Sequence, residues 1–476
     1  MVTIQDKLSE VISSGKQLGA SFVELRSLSI DRTMINLLDG KGKSIHGLDG
    51  GTAIRVLADG AWGFVSVVGT DLEAKTLKKG IKDACSLAKL AAAHTPEPVE
   101  LYPVDPLQDV SKIKMQIDPR EIPTSEKKDK LVNFHETIIK ADERIRSSTI
   151  SYADITGTHY YQNSDDVEIT MDKCITWSMV IANGKEGSIR AGGREEFGSP
   201  YGYHIFNDAH LAEVADLLTQ RVIRTLEAKP AKGGEFPAIL SPPVAGVFAH
   251  EACGHLFEAD LTENGCIGTA LGQKIGSEYG TIVDDGIIEN GIGSYSYDDE
   301  GIPAQRTVIL DRGRVNALLT NREYAQKFQK INEKLESKIE CTPSGNARAF
   351  DFRVPPIIRM RNTYFEAGDF SWDELLEPIK FGYWFVHFRG GEASLEGTFT
   401  VGIQEAYEIV NGEIGDPVRG ASISGNTLET LHSISGASKA NDFLMHPGRC
   451  GKGQTAFTGD GGTRLRVDKI NVAGEE

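Results

Sequence analysis

The chain has 476 residues, 40% of them apolar and 25% charged, with a net charge of -17. This is the balance of a folded globular protein too long for one core, and it sets aside a disordered chain or a single small domain. The acidic surplus disfavours nonspecific binding to nucleic acid or to anionic membrane. Six scattered cysteines form no tight Cys-x-x-Cys pair and no dense framework, so a disulfide scaffold is not expected. No stretch approaches the length of a membrane span, and the N-terminus lacks the basic and apolar regions of a signal peptide. The expectation is a soluble cytoplasmic protein in a reducing compartment.

Ile4, Leu8, Val11 and Ile12 recur at helical spacing, and Gly19 can end that helix. Strand-like segments follow, punctuated by Asp39-Gly40, Asp49-Gly50 and Asp59-Gly60, each a hairpin signal. A second helix is expected over 71–93. Residues 94–125 carry six prolines and read as a surface connector. A helix resumes near Thr124, strands follow, and Leu211, Val214, Leu218, Val222 and Leu226 line the stripe of another helix, which Pro230 stops. The segment "AKGGEFP" marks a boundary. The fold class is α+β: an N-terminal domain of antiparallel strands and helices over 1–232, and a strand-rich C-terminal domain over 233–476. In the second half Asp311-Arg312-Gly313 and Asn411-Gly412 mark hairpins, and Ser371 with Glu374 forms a capping box before a short helix.

The chemistry concentrates in "FAHEACGHLFEAD", residues 248–260. Ser241 suits an N-cap and Pro242 the first helical position, so a helix is expected to run from there through His250, Glu251 and His255. Val244, Val247, Phe248, Ala252, Leu256 and Phe257 make it apolar on most sides. Side chains four apart on a helix diverge by about 40°, and those five apart by about 140°. His250 and His255 are five apart, which suits one ion poorly. A π-bulge, or loosening near Gly254, would bring them together, and either predicts a break in the hydrogen-bond ladder between 250 and 255. The plainer reading is a pair of satisfied core histidines. A metal would need a third donor, for which Glu258, Asp260, Cys266, His446 and Cys450 compete, while Cys253 suits a small apolar packer. Cys450 stands among Gly448, Gly451 and Gly453, where the backbone can curl closely.

"HEACGHLFEAD" and the later "PGRCGKGQ" resemble the TldD family of metalloproteases. "SYSYDDEGIPAQRTVILDRGRV", "SGNARAFDFRVPPIIRMRNTY" and "FRGGEASLEGTFTVGIQEAYEIVNGEIGDPVRG" are similar to further blocks of that family. The resemblance implies His250, His255 and Cys450 as ligands of one Zn2+ per chain, and Glu251 as catalytic base. It implies cleavage of peptides and of unfolded or leader-bearing polypeptides, by a dimer formed with a TldE/PmbA-like chain or with itself. Leu256 and Phe257 replace smaller residues of the family pattern, which bears on substrate preference. Gly390 and Gly391 are substrate-binding candidates because they let a peptide backbone approach; a β-bulge explains them equally well. Asp298, Asp299 and Glu300 could neighbour the site or form a solvated turn. A peptide-binding or regulatory subunit without catalysis is the rival reading.

Overall fold

The computed structural model describes residues 4–69, 73–262, 265–267, 271–334 and 341–475. Helix α1 (Ile4–Gln17) buries Leu8, Val11 and Ile12 and ends at Gly19, whose φ of 93° suits a residue without Cβ. Strands β1 (Phe22–Leu38), β2 (Lys41–Ala58) and β3 (Ala61–Val68) form a meander. Asp39-Gly40 and Asp59-Gly60 turn it, all four residues at positive φ, as a two-residue primed hairpin turn requires. Asp49-Gly50 makes no turn. It lies within β2 opposite Ile30 and Ser29, and Asp49 pairs with Arg353 at 2.7 Å.

Helix α2 (Ala74–Ala92) presses Leu77, Ile81, Ala84 and Ala88 onto β2 and β3; residues 70–72, including Leu72, lie outside the described residues. The proline-rich segment carries more structure than a connector. Between Pro106 and Pro119 no proline removes a donor, and β4 (Leu107–Ser111) pairs in parallel with the start of the strand Val167–Glu186. Helix α3 (Thr124–Lys140) precedes β5 (Ile145–Asn163), β6 (Val167–Glu186) and β7 (Ile189–Ser199). The seven strands make one sheet in the order β3-β2-β1-β5-β6-β4, with β7 following β4 along the same edge of β6, beside Thr176–Glu186. Alternation along β6 turns Val180 and Ala182 toward α3 and α4 (Asp208–Glu227), and Met179 and Ile181 toward the other face.

Beyond residue 228 the chain builds other sheets. In one, Asn362–Phe365 lies parallel to Gln454–Gly462, which pairs with Leu444–Lys452. In another, Phe381–Ala393, Gly234–Leu240, Leu465–Ala473, Ser422–Asn426 and Thr398–Val410 follow in order, and the first and last also pair. The strands therefore close into a ring, which removes their free edges. Asn411-Gly412 and Arg312-Gly313 turn hairpins at positive φ, and the Ser371–Glu374 capping box is present.

Asp298, Asp299 and Glu300 are not a solvated turn. Asp298 and Glu300 are buried, Asp298 accepting from the main-chain N–H groups of Glu300, Ile302 and Ala347. Glu300 meets Arg55 at 3.0 Å and Asp299 meets Arg26 at 3.5 Å, so this segment clasps the first sheet to the rest of the chain.

Candidate metal centre

Helix α5 (Pro242–Val247) starts where its prolines place it, but its N-cap differs from expectation. The Ser241 hydroxyl accepts from Trp384 Nε1 at 2.7 Å and caps no helical N–H. Phe248–Cys253 then widens into a π-helix and Gly254–Phe257 tightens into a 3-10 turn. The Gly254 N–H donates to both Ala249 O and His250 O, which is the expected break in the ladder. Thr427 Oγ1 donates to the Ala252 carbonyl at 3.0 Å. Gly254 is required sterically: a Cβ there would meet Met360 Sδ at 2.0 Å. Buried Val244, Phe248, Ala252, Leu256 and Phe257 hold the segment in the core. Burying side chains of this size stabilises by about 1.5–3 kcal/mol each, which outweighs an imperfect helical ladder.

The altered winding brings the imidazoles of His250 and His255 to a centroid separation of 5.4 Å. Cys450 arrives on the Leu444–Lys452 strand, with Sγ 3.4 Å from His255 Nε2. One donor atom from each of the three residues lies within 4.8 Å of the others. Tetrahedral zinc holds adjacent N and S donors about 3.5 Å apart, so the donor types and the Cys450–His255 spacing fit that ion. The N–H of His255 Nδ1 donates to Glu258 Oε2 at 2.7 Å, which leaves Nε2 as the free donor toward Cys450. Buried His250 Nδ1 has no hydrogen-bond partner among the described residues.

The electrostatics agree. Burial raises the Cys450 thiol, but the two imidazoles overcome this and bring its pKa down to about 4. Burial disfavours the His255 imidazolium, yet Cys450 and Glu258 raise its pKa to about 10; Cys450 and Glu251 also raise His250 against its burial. The pocket thus favours a thiolate and positive charge beside it, a role a divalent cation would fill while displacing protons.

Glu251 follows His250, is partly exposed, and lies 3.8 Å from His255 Nε2. Gly391 stands against it, since a Cβ on Gly391 would lie 3.5 Å from Glu251 Cγ. The Phe381–Ala393 strand is irregular at Gly390, so a bulge is present beside the site.

The other candidate donors go elsewhere. Glu258 orients His255 and meets Lys452 at 3.2 Å; Asp260 meets Lys452 at 2.8 Å. Cys266 is exposed and packs at Gly397. His446 belongs to a second group with Glu195 and His387, where Arg221 already pairs with Glu195 and the Gln404 amide reaches His387 Nδ1 at 2.7 Å. Sequence reasoning missed Arg359, whose Nη2 donates to the Cys450 carbonyl at 2.8 Å, and Arg361, fully buried on Asp284 at 2.7 Å. Both flank Met360 in "PPIIRMRNTY", so two arginines in an apolar block were the available signal.

Comparison with known proteins agrees along the chain. The PmbA/TldA metallopeptidase C-terminal domain matches residues 233–474, the central domain 117–226 and domain 1 23–88. A zinc metalloprotease TldD homolog from Saccharolobus solfataricus is 34% identical, over 97% of this chain and 99% of its own. A metalloprotease from Methanocaldococcus jannaschii is 33% identical, over 97% and 98%. The crystal structure of TldE from Thermococcus kodakarensis shares the fold, with a TM-score of 0.73 at 20% identity, over 98% of this chain and all of that one. The chain belongs to the PmbA/TldD metallopeptidase family.

Proposed function

We propose that this chain is a zinc-dependent peptidase that cleaves peptides and unfolded or leader-bearing polypeptides. His250, His255 and Cys450 would hold one zinc ion per chain, leaving one position of a tetrahedron open. Bound there, the ion supplies Lewis acidity toward water and toward the scissile carbonyl.

The remaining work falls to the chain's own residues. Glu251, beside His255 and open to solvent, accepts the proton of the attacking water and returns it to the leaving amine. Glu258 fixes the His255 tautomer, and Arg359 anchors the Cys450 main chain. Gly390 and Gly391 keep the strand next to Glu251 free of side chains, so an extended peptide backbone can approach.

The observation that carries this reading is the convergence of three zinc-type donors with a carboxylate adjoining them. A dimer is part of the proposal, formed with a TldE-like chain or with a second copy. So is a reducing, cytoplasmic setting, consistent with six free cysteines. Among the described residues no helix is long and apolar enough to cross a membrane. Metal analysis of the purified chain, with casein digestion before and after chelation, tests the reading. Stoichiometric zinc and chelator-sensitive digestion are expected; digestion by a metal-free preparation overturns it.

A further inference from the structure

A cleft of about 750 Å3 opens beside the face of β6 and β7 that α3 and α4 leave uncovered, with Arg389 of the Phe381–Ala393 strand in its wall. Its charged lining is Arg146, Lys185, Arg190, Arg194 and Arg389, and among the described residues no carboxylate lines it. In a chain of net charge -17 this is a local reversal of sign. Arg194 pairs with Glu196, whereas the other four meet no carboxylate among the described residues. Clustered cations of this kind repel one another and favour an anionic occupant.

The main chain offers a second handle. Among the described residues, strand β7 pairs with β6 on one side only. On its other side the Arg194 N–H donates to Gln404 Oε1 at 2.8 Å, and Gln404 Nε2 donates to Arg194 O at 2.9 Å. The Gln404 amide thus does for Arg194 what a neighbouring strand would do. Outward main-chain groups recur at every second residue of an antiparallel strand, so Gly192 and Arg190 face the same way, past the end of Gln404. An extended peptide could continue the sheet there. The cleft also leads to the chemistry. Arg389 lies two residues, a span of about 7 Å along a strand, before Gly391, where a Cβ would lie 3.5 Å from Glu251 Cγ.

We propose that this cleft binds an acidic, extended segment of the polypeptide substrate, laid along the free edge of β7 with its carboxylates on Arg146, Lys185, Arg190 and Arg389. The identity of the occupant as substrate rests on the peptidase reading; the preference for an acidic peptide does not. The open main-chain edge favours peptide over nucleic acid, which has no strand to add.

The test reads binding rather than turnover, so a chain unable to cut peptides would still report on the cleft. Fluorescence anisotropy of the full chain is measured with two labelled peptides of equal length, one carrying glutamates and the other glutamines at the same positions. Exposed ion pairs are individually weak, so several acting together set the expectation of a roughly tenfold preference for the acidic peptide at low salt. That preference is expected to vanish near 1 M salt, where the screening length falls to about 3 Å. Reversal of charge in R146E/R190E is expected to abolish it, and R146Q/R190Q to reduce it severalfold should the reversed chain fail to fold. Equal affinity of the wild type for both peptides would overturn the proposal. So would a preference that survives the substitutions, or a DNA oligonucleotide of matching charge that displaces the acidic peptide better than its unlabelled form.

Discussion

Cys450 Sγ lies 3.4 Å from His255 Nε2, although 195 residues separate them in sequence. Each strand of the contact is held independently. Glu258 fixes the imidazole, and Arg359 fixes the main chain of the cysteine. Substitution of Glu258 by Gln is therefore expected to lower zinc affinity by about 10- to 100-fold without unfolding the chain. Competition with a chromogenic chelator, alongside circular dichroism, measures both. Unchanged affinity would show that the His255–Glu258 contact does not serve the metal.

The widened turn before His255 depends on a residue without a side chain. Gly254→Ala would force a methyl group into Met360 Sδ, and a loss of about 1–3 kcal/mol is expected from such overpacking. Met360→Ala alone leaves a cavity, so the double variant is expected to lose less than the sum of the two single losses, because the two sites share one contact. Denaturant unfolding of the single and double variants measures the coupling, and strictly additive losses would contradict it.

Arg361 and Asp284 form an ion pair with no exposure on either side. Removing one partner leaves a buried charge, so Asp284→Asn is expected to cost about 3–5 kcal/mol, while joint replacement of the pair by apolar residues costs less. Denaturant midpoints of the two variants decide this.

Burial holds the His159 imidazole near a pKa of about 4, against the opposing pull of Asp299, whereas an unfolded histidine titrates near 6.5. Between these values the unfolded chain binds a proton that the folded chain refuses. This contribution to stability is thus complete above about pH 6.5 and is lost as the pH falls toward 4, by about 3 kcal/mol in all. His159→Asn should flatten that part of the stability–pH curve, and an identical slope in the variant would contradict the assignment.

Much of this was legible in sequence wherever the determinant is local. A glycine at position 254 between histidines five apart foretold an irregular helix, because backbone geometry within six residues fixes where those rings can point. Asp39-Gly40 and Asn411-Gly412 gave their hairpins through the positive φ that such turns demand. Asp49-Gly50 misled because β2 pairs continuously with β1 along its length, and that ladder outweighs the turn preference of two residues. The burial of Asp298 and Glu300 was illegible for a related reason: their partners Arg55, Arg322 and Ala347 come from distant segments. The glycines around Cys450 made it the most suggestive distant donor, but only family resemblance tied it to the histidines, since no local rule links it to a helix 195 residues away.

In the proposed mechanism Glu251 moves the proton while His250, His255 and Cys450 hold the ion. Glu251→Gln separates the two roles, since the amide keeps the shape of the side chain and loses its basicity. Metal content and peptide hydrolysis are measured on the same preparation. Zinc at the wild-type level with hydrolysis reduced at least about 100-fold is the expected result, in line with the 10²–10⁴ contributed by a general base. Hydrolysis at the wild-type rate by the zinc-loaded variant would contradict the account.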